Sequence, residues 1–169
     1  MSAATPLVVH GWTVFAHPLF LDQVDALLAE VDKAKARHPD SYHKKNAAKR
    51  LAAVASLAFD IIPQDPERPE YRQGDTLGSD RKHWMRAKFF QQYRLFFRFR
   101  KSERIILYAW LNDERSLRAY DSKTDAYAVF RKMLDRKSPP DDWEKLKAEC
   151  ATAGDRLPAT AAKITSVEP

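Results

Sequence analysis

Three basic residues, Arg86, Lys88 and Arg94, are the first in this sequence whose types and spacing suggest chemistry. They lie in RKHWMRAKFFQQYRLFFRFRKSER, residues 81 to 104, which holds nine Lys and Arg and one acid. That local charge of +8 exceeds the +6 of the whole chain, so the other 145 residues sum to −2. Side chains of a strand alternate between faces. Met85, Ala87 and Phe89 then share one face, with Trp84, Arg86 and Lys88 on the other. Across the hairpin, Tyr93, Leu95, Phe97 and Phe99 oppose Arg94, Phe96, Arg98 and Arg100. Matching apolar faces requires odd residues to pair with odd, hence a three-residue loop, Phe90-Gln91-Gln92. Ala87 then meets Leu95, Arg86 meets Phe96, and Lys88 faces Arg94. Two like charges so placed oppose pairing by a few tenths to about 1 kcal/mol unless an anion sits between them. No acid lies on that face, and the trio reads as a polyanion site.

Aromatic residues are threaded among these charges. Trp84, Phe96, Tyr108 and Trp110 fall on the basic face and would stack on exposed bases, which favours single-stranded nucleic acid. Each taken alone also reads as ordinary packing under a helix. Extending the register sets Trp110 beyond Arg94 and Tyr108 beyond Phe96. Arg98, Arg100, Lys101 and Arg104 track a backbone or solvate the hairpin end. His83 has two readings, a structural histidine or an acid–base group. His10, His17, His38 and His43 show no metal-ligand spacing with Cys150 or the acids, and no metal or cofactor is predicted. The chain has no phosphate loop, dinucleotide fingerprint or Ser-His-Asp signature.

Several elements must hold this hairpin. Residues 7–17 read as a first strand, and Pro18 opens a helix over 18–37 with Phe20, Val24, Leu27, Leu28 and Val31 at helical spacing. A second helix spans 41–62, ended by Pro63. Its basic first half, Lys44 to Arg50, reads either as a wider RNA footprint or as a solvated face. Residues 63–80 form a loop, and strands follow at 82–90, 92–100 and 104–111. Ser122-x-x-Asp125 starts a helix carrying Tyr127, Phe130, Met133 and Leu134. A short helix ends near 150, and a disordered tail is expected over 151–169. The order predicts one α+β domain over 1–150: a small antiparallel sheet of about four strands, with helices packed on one face.

Composition sets outer limits. The 169 residues are enough for one proper core. No apolar run approaches a membrane span, so no membrane association is expected. One cysteine suits a reducing cytoplasm, and a pI near 9.4 points to a polyanionic partner.

The runs KHWMRAKFFQQYRLFFRF, YAWLNDE, SKTDAYAVFRKML and PPDDWE resemble the YhaV toxin family, as do IPQDPERPEYRQGDTLG and GWTVFAHPLFLDQVDALLAEV. The likeness covers roughly residues 10 to 146. Tyr93-Arg94-Leu95 matches the looser hallmark of the RelE-like superfamily. The resemblance implies a RelE-like fold and the toxin of a type II toxin–antitoxin pair, an mRNA endoribonuclease that blocks translation on the ribosome. It also implies a PrlF-type antitoxin with an AbrB-like, swapped-hairpin DNA-binding domain, and a complex that represses its own promoter DNA. Metal-free cleavage uses the 2′-OH as nucleophile. Arg94 is then the phosphate clamp, Arg86 stabilises the transition state and Lys88 moves protons. Tyr120, with Arg115 or Arg118, takes the place of the basic residue and tyrosine that the superfamily often adds after the last strand. Glu114 reads as a general base or as a turn cap. Two competing functions stay open on the same scaffold: an RNA- or ribosome-binding inhibitor without catalysis, and a ParE-like inhibitor of gyrase.

Overall fold

The structure, a computed structural model, describes residues 6–167. Five strands form one sheet in the order β1-β2-β5-β4-β3: β1 (Leu7–Val9), β2 (Trp12–Ala16), β3 (Met85–Phe89), β4 (Tyr93–Arg100) and β5 (Ile105–Leu111). The architecture is α+β and accords with the RelE-like expectation. Two details of the strand arrangement differ from it first. The single first strand expected over 7–17 is a hairpin, because His10 (φ 49°) and Gly11 (φ 82°) form a two-residue turn with both residues left-handed. The sheet is also mixed, since β2 pairs with β5 in parallel.

The β3–β4 register follows parity. Arg86 pairs with Phe96, Ala87 with Leu95 and Lys88 with Arg94. Phe90 and Gln91 carry positive φ in the connecting loop. The β4–β5 register does not continue as expected. Phe96 pairs with Trp110 and Phe97 with Tyr108, so Ala109 is an extra residue on β5. Such a bulge turns the residues beyond it to the other face. Tyr108 therefore stacks on Phe20 at 5.6 Å and donates to the Ala58 carbonyl, while Trp110 stacks on Phe96 from the opposite side.

Helices cover both faces rather than one. α1 (Pro18–Arg37) and α2 (Asn46–Ser56) bury Phe20, Val24, Val31, Leu51 and Val54 against Leu95, Phe97, Ile106 and Tyr108. α2 continues through a wide turn, Leu57–Ile61, to Gln64, so Pro63 sits inside its last turn. α3 (Ala126–Asp135) and α4 (Trp143–Ala151) seal the other face. The Phe130 ring lies 4.3 Å from Phe96 and 5.7 Å from Trp110, near-parallel to both, with Trp84 edge-on at 5.1 Å. The tail expected to be disordered forms α5 (Arg156–Val167). Its Leu157, Thr160 and Ile164 are buried and Arg156 pairs with Asp22 and Asp25, so three inward residues at helical spacing suffice to dock a segment of small residues. No helix among the described residues is long and apolar enough to cross a membrane.

Candidate active site

Pairing of β3 with β4 brings Arg86, Lys88 and Arg94 onto one face at the sheet edge. Arg94 is only 5% exposed, yet no ion pair neutralises it among the described residues. Its Nε donates to the Tyr127 hydroxyl at 3.1 Å, and its Nη1 to the carbonyls of Gln91 (2.7 Å) and Tyr93 (2.9 Å). The Arg86 Nε donates to the same Tyr127 oxygen at 2.9 Å, and its Nη1 donates to the Glu70 carbonyl. Two guanidinium groups from adjacent strands thus share one phenol oxygen. The Nη2 of each has no hydrogen bond among the described residues, and each can give two N–H donors to an anion. Lys88 is exposed, opposite Arg94, and makes no ion pair there either. A buried guanidinium without a counter-ion is costly to fold and is an anion site in waiting.

Tyr127 sits in the first turn of α3, where the Asp125 side chain caps the helix by accepting from the Tyr127 amide at 3.0 Å. Asp125 also receives Arg118 Nη1 at 2.6 Å, and Arg118 stacks on the Tyr127 ring at 4.7 Å and on Tyr120 at 3.9 Å. One carboxylate therefore fixes the helix start and the arginine, and together they hold the phenol. The sequence alone does not single out Tyr127, whose spacing to Phe130 and Leu134 is that of a core stripe. Its polar tip is the available signal, since a buried tyrosine hydroxyl needs a partner.

The other expected site residues separate into groups. Tyr120 is 82% exposed beside Arg118, and Arg115 is exposed on the loop after β5. Glu114 makes no hydrogen bond or ion pair with the trio. It pairs at 3.2 Å with Arg50, which stacks on Tyr93 on the α1–α2 side of the sheet. Trp84, Phe96, Tyr108 and Trp110 are at most 6% exposed. The stacking platform expected for them is therefore absent: α3 and α4 occupy the face on which three of them lie, and Tyr108 belongs to the other core. Arg98 is half-buried, with its guanidinium over the rings of Trp84 and Trp143 and its Nη1 donating to the Asp141 carbonyl.

His83 and Trp84 both reach Asp141, at 2.8 and 2.7 Å. Burial pushes the Asp141 carboxyl up, but these two hydrogen bonds together with the nearby charges of His83 and Arg98 outweigh it, and the net shift is downward. His83 is thus tied to the loop before α4 and anchors it to β3.

Two surface cavities flank the trio. One of about 380 Å³ is lined by Tyr71, Arg72, Arg86 and Lys88, the other of about 480 Å³ by Arg118, Tyr120, Asp125, Tyr127 and Arg131. The Arg86–Tyr127 hydrogen bond joins a wall of one to a wall of the other. The arrangement can grip a phosphate between fixed cations, with an exposed ammonium and a phenol at hand for proton movement. Its charges are set before any ligand arrives, so little reorganisation is needed.

A family described as toxins with endonuclease activity, of toxin–antitoxin systems, matches residues 14–151. Toxin YhaV of Escherichia coli O6:H1 (strain CFT073) is 47% identical over 146 residues, covering 85% of this chain and 95% of that protein. The protein named ribonuclease toxin YhaV in Escherichia coli K12 matches to the same extent. No solved structure matches the chain.

Proposed function

The chain belongs to the YhaV toxin family, the toxin of a toxin–antitoxin system with endoribonuclease activity, and on that footing we propose how it cuts RNA. The substrate is mRNA engaged on the ribosome; a 2′-OH attacks its own 3′-phosphorus and gives up its proton, a 2′,3′-cyclic phosphate forms as the bond from phosphorus to the 5′-oxygen breaks, and that oxygen leaves with a proton. The Nη2 groups of Arg86 and Arg94 bind the non-bridging oxygens and stabilise the charge that grows there. Lys88, exposed and facing Arg94, exchanges protons with the reacting oxygens. Tyr127 holds both arginines in one plane of approach, and Tyr120 and Arg118 border the path of the strand. Arg115 extends the cationic rim. The observation that carries this reading is the single phenol oxygen bonded by two arginines that no carboxylate among the described residues neutralises.

Among the described residues no three His, Cys, Asp or Glu side chains gather where they could share a metal ion. The proposed chemistry is carried by Lys and Arg. The antitoxin is assigned to the PrlF type with an AbrB-like DNA-binding domain, and the complex of the two to the control of its own promoter. The protein works in the cytoplasm in this reading. Mapping of 3′ ends on labelled mRNA, with and without translating ribosomes, tests the activity. Cuts only on ribosomes support the full proposal; equal cuts on free mRNA would remove the ribosome from it.

A further inference from the structure

The corner where α1 ends and α2 begins holds a second concentration of positive charge that the cleavage site does not use. Residues 33–50 contain seven Lys and Arg and one acid, a local charge of +6. Lys33, Lys35, Arg37, Lys44, Lys45 and Lys49 are all exposed, and none enters an ion pair among the described residues. Lys35 only rides over the Tyr42 ring at 5.7 Å. The hairpin segment behaves differently: Arg81, Lys82, Arg100 and Lys101 are matched to Asp135, Asp75, Glu103 and Glu67.

Local helix physics also works against a merely solvating role. Lys45 and Lys49, at the N-cap and in the first turn of α2, are like charges four residues apart, and such pairs destabilise a helix, whereas Lys35 and Arg37 in the last turn of α1 suit its dipole. Lys45 is the N-cap of α2 and offers no side-chain cap, and there is no acid in the first turn to suit the helix dipole. Arg50, the next residue after Lys49, stacks on Tyr93 beside Arg94 at 4.7 Å, so this corner adjoins the end of the sheet that carries the site.

We propose that the α1–α2 corner is a docking surface for the phosphate backbone of structured RNA, positioning the toxin while the Arg94 site cuts a separate strand. The chemistry favours RNA over an acidic protein. Lysine point charges with no exposed large hydrophobic side chain among them suit phosphates, whereas protein interfaces are depleted in lysine and need large apolar anchors. The proposal rests on the reading of the chain as an RNA-directed toxin, but its test is independent of cleavage.

The probe is a blunt RNA duplex of about 20 base pairs, its binding to the full chain measured across a range of salt concentrations. The variant carries Lys33→Gln, Lys44→Gln, Lys45→Gln and Lys49→Gln, and a second carries Arg at the same four positions. The glutamine variant is expected to lose at least tenfold in affinity and to flatten the salt slope by roughly 0.9 for each phosphate no longer neutralised. The arginine variant is expected to bind as the wild type does. Far-UV circular dichroism and Tm are expected to match the wild type in both, which separates lost docking from lost folding. Unchanged duplex affinity in a folded glutamine variant overturns the proposal. So does polyglutamate competing as well as the duplex, which would assign the surface to an acidic protein. Duplex binding without any cleavage would instead refute the catalytic reading and leave this one standing.

Discussion

Tyr127 is the residue on which the site turns, because its oxygen accepts from Arg86 at 2.9 Å and from Arg94 at 3.1 Å. Tyr127→Phe keeps the ring that packs on Phe96 but leaves two guanidinium donors without an acceptor. Losing hydrogen bonds to a charged group costs about 1.5–3 kcal/mol, so a measurable fall in Tm is expected. Cleavage is expected to drop by roughly 10-fold or more as both arginines lose their common anchor. Rates on mRNA with translating ribosomes, normalised to the folded fraction, separate the effects: a positioning role lowers the normalised rate, whereas a purely structural one leaves it unchanged. Arg94→Lys is not a conservative change here. An ammonium cannot reach the phenol, the two carbonyls and a phosphate at once, and activity is expected to fall nearly as far as in Arg94→Ala.

The elements explain why parts of this were readable from the sequence. Side-chain parity and the need to bury one face determine the β3–β4 register, and with it the meeting of Lys88 and Arg94. The helix from Pro18 to Arg37 follows from its apolar spacing and its proline. What parity does not reveal is the partner of the second face. Trp84, Phe96 and Trp110 alternate with arginines, a pattern equally suited to stacking bases and to packing under a helix. Only the docking of α3 decides it. Nor does any local signal announce the parallel pairing of β2 with β5, which joins residues about ninety positions apart, or the extra residue Ala109 that sends Tyr108 to the other core. Phe130 is the test of that docking. Phe130→Ala, removing a ring with three aromatic neighbours within 5.7 Å, is expected to cost about 3–5 kcal/mol in denaturant unfolding. A loss below about 1 kcal/mol would mean that α3 does not seal this face.

The same sheet face carries a pH dependence. Asp141 is held below its ordinary value of 3.8 in the folded protein, so its stabilising contribution is present above that value and is lost as the pH falls through the folded one. Thermal melts between about pH 5 and pH 3 are expected to fall more steeply for the wild type than for Asp141→Asn, and equal slopes would remove Asp141 from the acid transition.

At the scale of the whole molecule, the excess charge gathers in two places. On the hairpin most basic residues are matched by acids or stacked on rings; Arg86, Lys88 and Arg94 have no acid partner among the described residues, with Arg86 and Lys88 lining one cavity and Arg86 and Arg94 both bonded to Tyr127, which lines the other. A protein arranged this way is expected to bind RNA with a steep salt dependence, and moderate salt should weaken substrate binding before it affects the fold. The central claim is that Lys and Arg at the β3–β4 edge do the cutting. The direct test maps 3′ ends on labelled mRNA with translating ribosomes, for the wild type, Arg94→Ala and Lys88→Ala, each first shown to be folded. Defined cuts from the wild type and a loss of about 10²–10³-fold in rate for each variant are predicted. Cutting by either folded variant at the rate of the wild type would contradict the account.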